Sequence, residues 1–171
     1  EFYDDWDEPN PLGYYAKSKY AAEKFIQNNS NNYLICRAGW MMGGGPNKDK
    51  KFVNKILNQI NSGQDIINVV DDKLGTPTYT HDFVNNIFKI LDSDNLGLYN
   101  LVCEGNTSRY EVAKEIIKIL NFENKVSINQ VKSDFFSNEY FAPRPRSENL
   151  INLKLNILNL NVMRDWKICL N

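Results

Sequence analysis

The pattern of apolar and polar positions along the chain predicts helices and short strands in alternation. Helix-favouring residues, or apolar residues at helical spacing, mark four predicted helices: 14–28, 51–61, 80–91 and 109–120. Short apolar or alternating runs between them predict four strands: 32–40, 66–70, 97–102 and 125–131. Strands separated by helices of this length are typical of an α/β fold with a largely parallel sheet.

The segments between these elements predict loops and a short chain end. Prolines, glycines and clustered polar residues indicate loops over four ranges: 1–13, 41–47, 71–79 and 133–149. Two short apolar pieces, 153–160 and 165–170, complete the chain. Thr80 is the predicted N-cap of the third helix, and Thr107 or Ser108 that of the fourth. Because few strands are predicted and the chain starts in a loop, we expect the latter part of a larger domain.

Charge and composition argue against several classes of protein. The 171 residues carry 20 Lys and Arg against 21 Asp and Glu, a net charge of -1 that favours no nucleic-acid partner. The longest basic run, Lys48, Lys50 and Lys51, is interrupted by Asp49. No apolar stretch is long enough to predict a membrane span. Three cysteines without C-x-x-C spacing predict neither a disulfide framework nor a zinc site, and they fit a reducing, cytoplasmic setting.

Three other features are predicted to be structural. Arg37 lies inside a predicted strand, where a buried and paired arginine is expected. His81, the single histidine, lies in the first turn of a predicted helix and is expected at the surface or as a cap. The acidic residues within 4–8 are expected to be solvated, because adjacent loop carboxylates without further ligand spacing do not define a metal site. No metal is therefore predicted.

Tyr15 and Lys19 form the pair with the clearest chemical potential. Four residues apart on one helix, their side chains project from the same face. A phenol with a pKa of about 10 is a poor acid or base at neutral pH, and a neighbouring ammonium lowers that pKa. Tyr20 and Lys24 repeat the spacing, so spacing alone leaves two interpretations open: a catalytic pair, or an exposed pair on a helix surface.

A series of short motifs distinguishes the first pair from the second. The helix reads Tyr-Ala-Lys-Ser-Lys over 15–19, after an acidic, proline-rich loop. Further motifs follow in order: R-A-G-W at 37–40, F-V at 52–53, G-T-P-T-Y at 75–79, G-L-Y-N at 97–100, A-P-R-P at 142–145 and R-D-W at 164–166. Together they resemble the extended short-chain dehydrogenases, and among these the dTDP-4-dehydrorhamnose reductase family. The resemblance covers nearly the whole chain.

The resemblance implies a fold and a division of the chain. It implies the latter part of a Rossmann-like NAD(P)-binding fold with parallel strands, plus a smaller C-terminal substrate-binding subdomain. The active-site helix would lie at about 14–28, with substrate-binding elements at about 41–65 and 104–171. The glycine-rich dinucleotide fingerprint does not occur here and would lie upstream of Glu1. A catalytic Ser or Thr would also lie upstream, because in the family it comes well before the tyrosine and only 14 residues precede Tyr15. A missing N-terminal half, or self-association through an exposed sheet edge, is therefore expected.

The resemblance also implies residue roles. Tyr15 would donate a proton to the C4 carbonyl oxygen of a 4-keto sugar while NADPH or NADH supplies hydride. Lys19 would hold the nicotinamide ribose and lower the pKa of Tyr15. The implied cofactor-binding residues are Tyr15, Lys19 and Gly39. The implied substrate-binding residues are Trp40, Thr76, Thr78 and Arg144.

Each implied substrate-binding residue has a plainer alternative. Trp40 would pack against the sugar ring, but a core tryptophan at a strand end is equally compatible with the sequence. Thr76 and Thr78 would line the substrate side, and they also suit a rigid turn before a helix. Arg144 would contact the nucleotide phosphates through forked donors, while an exposed solubilising arginine is the alternative.

The expected function is reduction of a 4-keto-6-deoxysugar nucleotide, namely dTDP-4-dehydro-L-rhamnose to dTDP-L-rhamnose, in deoxysugar and surface polysaccharide synthesis. Two alternatives stay open. A sibling epimerase or dehydratase would use the same tyrosine and lysine, and a non-catalytic regulatory module would keep the pocket only for binding. The Tyr15 and Lys19 pair favours an enzyme, whereas the lack of a dinucleotide fingerprint favours the binding module.

Overall fold

Parallel strand pairs joined by helices organise the chain. The computed structural model describes residues 2–45, 47–49, 51–139 and 142–171. The helices are α1 Tyr14–Asn29, α2 Phe52–Asn61, α3 Thr80–Asp92, α4 Arg109–Ile119, α5 Leu153–Ile157 and α6 Trp166–Leu170. The strands are β1 Leu34–Arg37, β2 Trp40–Met42, β3 Ile66–Val70, β4 Leu74–Gly75, β5 Pro77–Tyr79, β6 Gly97–Asn100, β7 Thr107–Ser108, β8 Ser127–Val131 and β9 Ser147–Glu148.

The strands form four small sheets within the described residues. Three are parallel pairs: β1 with β6, β2 with β5, and β3 with β8. The fourth has the order β7-β4-β9, in which β9 runs parallel to β4 and β7 antiparallel. The prediction of an α/β fold with largely parallel strands is confirmed.

A continuous apolar core lies between these sheets and the helices. Residues of α2 and α4, including Ile56 and Ile116, pack with Ile67 and Val69 of β3. The core continues to β6 and the C-terminal helices, where Leu101, Leu155 and Trp166 are buried. The helical spacing of apolar residues predicted for these helices is therefore used to bury one face of each.

The predicted strand over 32–40 is wrong as a single element. The strand is interrupted at Ala38 and Gly39, between β1 and β2, and the backbone next forms hydrogen bonds to the segment that contains Thr76 and Thr78. The backbone N–H of Trp40 donates to the carbonyl of Thr76 at 2.9 Å. A Cβ at Gly39 would lie 2.0 Å from the same carbonyl oxygen, so only glycine permits this approach. Two short strands, separated by this close backbone contact at Gly39, therefore replace one long strand.

Three predicted loops also contain regular structure. The range 41–47 begins with the last two residues of β2, 71–79 includes β4 and β5, and 133–149 includes β9 and a 3₁₀ turn at Ser133–Phe136. Strands of two or three residues carry too short a pattern for period-two alternation to show. The predictions made for Glu1, Pro46, Lys50, Tyr140 and Phe141 concern positions outside the described residues.

The two predicted helix caps have different outcomes. Thr80 is the first residue of α3 and Tyr79 occupies the cap position, so the prediction for Thr80 is wrong. Ser108 caps α4, and its hydroxyl accepts a hydrogen bond from the backbone N–H of Glu111 at 3.1 Å.

The acidic N-terminal segment is tied to the fold. Tyr3 pairs with the chain beside Leu150, donating to the Asn149 carbonyl at 2.9 Å. Asp5 is buried, and its carboxylate accepts hydrogen bonds from the backbone N–H groups of Asn100 and Lys154. The expectation that every carboxylate of 4–8 is solvated is wrong for Asp5. Its carboxylate can be buried because these two backbone N–H groups replace the hydrogen bonds to water.

Two features are absent from the described residues. No helix among them combines the length and apolar character needed to cross a membrane. The same residues contain no cluster of three or more His, Cys, Asp or Glu arranged to hold a metal ion. The three cysteines are free thiols.

Candidate functional site

An ion pair sets the position of α1 against β1. Arg37, at the end of β1, donates to Glu23 of α1 through two nitrogens, with the shortest contact 2.7 Å. The prediction of a paired arginine is confirmed, whereas full burial is not, because the Arg37 side chain is 18% exposed. Tyr15 lies eight residues before Glu23, about 12 Å along the helix. Trp40 lies three residues beyond Arg37, up to about 10 Å of extended chain. Four residues separate α1 from β1, and Glu23 contacts the far end of the strand, so the two run antiparallel and the start of α1, with Tyr15, lies toward the carboxyl end of β1. Trp40 follows the same end of β1, and open α/β sheets bind ligands at this edge.

The predicted catalytic pair is open to solvent. Tyr15 is 71% exposed, and the Lys19 ammonium lies over its ring, 5.4 Å from the centroid. The second pair differs, since the Tyr20 hydroxyl donates to the Glu8 carboxylate. The Tyr15 hydroxyl and Lys19 ammonium are thus placed to meet a ligand from outside α1, whereas Tyr20 is engaged by the acidic loop.

The A-P-R-P segment lies beside the start of α1. Gly13, which precedes α1, approaches Pro143 so closely that a Cβ there would lie 3.5 Å from its carbonyl oxygen. Arg144 follows directly, and its side chain is 66% exposed. Its guanidinium lies 4.0 Å from the Glu148 carboxylate, and its backbone carbonyl accepts from the Lys73 ammonium at 3.0 Å. The structure therefore brings Arg144 near the helix that carries Tyr15.

Trp40 is held by contacts from three directions. Its indole Nε1–H donates to Glu148 Oε2 at 2.9 Å. The Arg109 guanidinium carbon lies 4.6 Å from the centre of its ring and 5.1 Å from that of Phe52. A Cβ at Gly75 would lie 2.3 Å from the Trp40 ring, so the ring rests directly on the glycine backbone. Trp40 is half-buried rather than a core side chain.

Gly39, Thr76 and Thr78 lie together beneath Trp40. Thr76 is 1% and Thr78 0% exposed. The Thr78 hydroxyl accepts from the Gly39 N–H at 2.9 Å, and the Thr76 hydroxyl accepts from the Leu150 N–H at 3.2 Å. Their hydroxyls therefore hold the backbone in place, as expected for a rigid turn. Their predicted contacts with a ligand stay predictions.

A buried carboxylate fastens the chain end to the start of α3. Asp82 accepts from Nε and Nη2 of Arg164, each at 2.9 Å, and from the Arg164 backbone N–H. Burial alone raises the pKa of Asp82, but the hydrogen bonds from Arg164 and Cys169 outweigh it, and the pKa is lowered. His81, beside it, is exposed and stacks on Tyr79. These contacts fix β5, which pairs with the strand carrying Trp40.

Sequence reasoning missed Arg109 and Glu148. Each has only a weak signal: Arg109 directly follows a capping serine, and Glu148 lies four residues after Arg144. Their relation to Trp40 depends on strand pairing between segments far apart in the sequence, because Gly75 of β4 pairs with Thr107 on one side and Glu148 on the other. No local pattern could have indicated that pairing.

The whole chain matches one family model, described as the RmlD substrate binding domain, over residues 1–171. A dTDP-4-dehydrorhamnose reductase of Mycobacterium tuberculosis is 29% identical over 171 residues, covering 98% of this chain and 54% of the relative. The chain thus spans about half the length of the relatives that it matches.

Solved structures give the same result. The crystal structure of dTDP-4-dehydrorhamnose reductase from Yersinia enterocolitica has a TM-score of 0.90 and 38% identity, covering 99% of this chain and 58% of that one. The enzyme of the same name from Bacillus anthracis, in complex with NADP, has a TM-score of 0.88 and 29% identity, covering 99% and 57%.

Proposed function

Because the chain belongs to the family of RmlD substrate-binding domains, we propose that it supplies the catalytic helix and substrate side of an NAD(P)H-dependent reductase of 4-keto-6-deoxysugar nucleotides. The proposed reaction converts dTDP-4-dehydro-L-rhamnose to dTDP-L-rhamnose, for deoxysugar and surface polysaccharide synthesis. The observation that carries this proposal is the exposed pair of Tyr15 and Lys19 at the same sheet edge as the anchored ring of Trp40.

The exposed side chains of α1 fit the nicotinamide end of such a cofactor. The Lys19 ammonium has three donors, lies beside the Tyr15 ring and is open to solvent, so it suits the hydroxyls of a ribose. When bound, NADPH or NADH would supply the hydride that reduces the C4 carbonyl. The predicted site for its pyrophosphate is not part of this sequence, which lacks a G-x-G-x-x-G motif.

Tyr15 is the proposed acid. As the C4 carbonyl is reduced, its oxygen gains negative charge and takes the phenolic proton of Tyr15. The nearby Lys19 ammonium stabilises the phenolate left behind, since an adjacent positive charge favours the charged form of a phenol. The proton then returns to Tyr15 from solvent, to which its side chain is open.

The remaining residues bind the nucleotide sugar. Trp40 offers the accessible part of its ring to the apolar face of a deoxysugar. The exposed Arg144 guanidinium is the proposed donor to the diphosphate, because its planar fork matches phosphate oxygens. Thr76 and Thr78 are proposed to act through the backbone that their hydroxyls hold.

A coupled assay tests the proposal. The complete polypeptide that contains these 171 residues is given dTDP-4-dehydro-L-rhamnose with NADPH, and separately with NADH. The expected result is stoichiometric loss of reduced cofactor with formation of dTDP-L-rhamnose, identified by chromatography. Conversion without net cofactor consumption would contradict this proposal and identify the protein as an epimerase or dehydratase. Saturable binding of dTDP-L-rhamnose without turnover would replace it with a binding module.

A further inference from the structure

One small sheet and the helix that follows it supply three contacts to the Trp40 ring. In the order β7-β4-β9, Gly75 of β4 pairs with Thr107 of β7 and with Glu148 of β9. Gly75 provides the surface on which the ring rests, and Glu148 binds its N–H. Arg109, two residues after Thr107, provides the guanidinium over the ring. The three contacts depend on a single strand register.

Of these three contacts, the bond to Glu148 is the directional one. The Gly75 backbone and the Arg109 guanidinium lie against the ring and have little directional preference. The indole has a single donor, and its bond to a carboxylate is charge-assisted and therefore stronger than a neutral one. Loss of that acceptor would leave the indole N–H of a half-buried ring without this partner and free the ring to turn.

The same carboxylate also faces Arg144. Oε2 of Glu148 accepts from Trp40, while Oε1 lies 4.0 Å from Arg144 Nη1. At that distance, with both side chains more than a third exposed, the ion pair is weak. Glu148 can therefore yield Arg144 to a competing anion while keeping its bond to Trp40.

We propose that Glu148 is a positioning residue. It orients Trp40 for the sugar, and it holds Arg144 nearby until a phosphate of the ligand takes its place as the partner of Arg144. This inference rests on the proposed function, because it assigns Glu148 a role in binding the nucleotide sugar. Glu148 acts through Trp40 and takes no part in proton transfer.

The test compares Glu148→Ala with Glu148→Gln, whose amide oxygen can still accept from the indole. Glu123→Ala, an exposed position in the turn after α4, controls for loss of one carboxylate. The indole N–H resonance of Trp40, assigned with Trp40→Phe, reports the hydrogen bond directly. Steady-state kinetics and dTDP-L-rhamnose binding are measured on the complete polypeptide.

For Glu148→Ala we expect the Trp40 resonance to lose its hydrogen-bonded shift and the KM for the nucleotide sugar to rise about tenfold, from loss of one charge-assisted bond. The kcat should change less than about threefold, and the cofactor KM should not change. Glu148→Gln should retain the resonance and a KM within about threefold. This rescue separates positioning from a general effect on folding.

Two results would overturn the inference. An unshifted Trp40 resonance in Glu148→Ala would show that the carboxylate does not hold the ring. A normal KM in Glu148→Ala together with a raised KM in Trp40→Ala would refute the role of Glu148 and leave the proposed function intact. If the wild-type protein neither binds nor reduces the nucleotide sugar, the proposed function fails and this inference with it.

Discussion

The two halves of the candidate site are built differently. None of the residues of α1 is buried, and the helix is joined to the fold by polar contacts such as that of Glu23 with Arg37. Trp40 instead rests on backbone, lies under a guanidinium and donates to a carboxylate. In the proposed function, a binding platform requires fixed geometry before the ligand arrives, whereas Tyr15 and Lys19 would need access to a cofactor and a carbonyl. The β7-β4-β9 sheet would then set the shape of the site through Trp40, and α1 would supply the proton.

The largest effect is expected at Tyr15. Tyr15→Phe removes the proposed acid, and kcat should fall by about 10²–10⁴, the range for loss of general acid catalysis. The Kd for dTDP-L-rhamnose should change less than about threefold, since the ring remains. The measurement is turnover alongside calorimetric binding in the complete polypeptide.

Tyr14→Phe is the matched control for Tyr15→Phe. Tyr14 is 90% exposed and adjacent in the sequence, but lacks the contact with Lys19. Turnover in this variant should equal that of the wild type. Undiminished turnover in Tyr15→Phe would remove Tyr15 from its proposed role.

The β7-β4-β9 sheet, on which the Trp40 ring rests, should tolerate an added methyl group less well than the start of α1. Gly75→Ala places a Cβ against the Trp40 ring, and the overpacking should lower the free energy of unfolding by about 2–3 kcal/mol. Gly13→Ala, where the nearest atom would lie at 3.5 Å, should cost less than about 1 kcal/mol. Denaturant unfolding measures both. Equal costs would erase the contrast between the two halves.

Trp40→Ala should separate substrate binding from cofactor binding. We expect the KM for the nucleotide sugar to rise about tenfold to thirtyfold, because the sugar loses an aromatic surface, while the cofactor KM stays within about twofold. Trp6→Ala, at a 61% exposed tryptophan, is the control. Equal losses for sugar and cofactor would identify Trp40 as a structural tryptophan.

A smaller effect on the free energy of unfolding is expected at acidic pH, and it arises at Asp82. Since the pKa of Asp82 is lowered in the folded state, its contribution is present above the unfolded value of about 3.9 and is lost as the pH falls through the folded pKa. The difference in unfolding free energy between wild type and Asp82→Asn should therefore narrow below about pH 4. Asp92→Asn, at the exposed end of the same helix, controls for loss of one carboxylate. A difference independent of pH would contradict this role of Asp82.

Sequence patterns predicted the parts of the fold that are local and periodic. The bounds of α1, β3 and α4 agree with the prediction within about two residues, because helical and alternating spacing reports burial on one face. The interruption at Gly39 was missed, since it depends on a backbone contact with Thr76 that lies far along the chain. Asp5 was missed for the same reason, because its donors come from Asn100 and Lys154.

The same distinction between local and long-range contacts applies to the candidate site. Tyr15 and Lys19 could be predicted because one helix fixes their relation, and the resemblance supplied Trp40 and Arg144. Arg109 and Glu148 could not, since the register of the β7-β4-β9 sheet alone brings them to the ring.

One titration tests the central claim, that Trp40, held in place by the β7-β4-β9 sheet, is a platform for a nucleotide sugar. The complete polypeptide is titrated with dTDP-L-rhamnose while the Trp40 indole N–H resonance is followed, with Trp40→Phe to assign the signal and UDP-glucose as a competing ligand. The account predicts a saturable shift of that resonance while the Trp6 and Trp166 resonances remain in place, and weaker binding of UDP-glucose. Saturable binding that leaves the Trp40 resonance unmoved would contradict it.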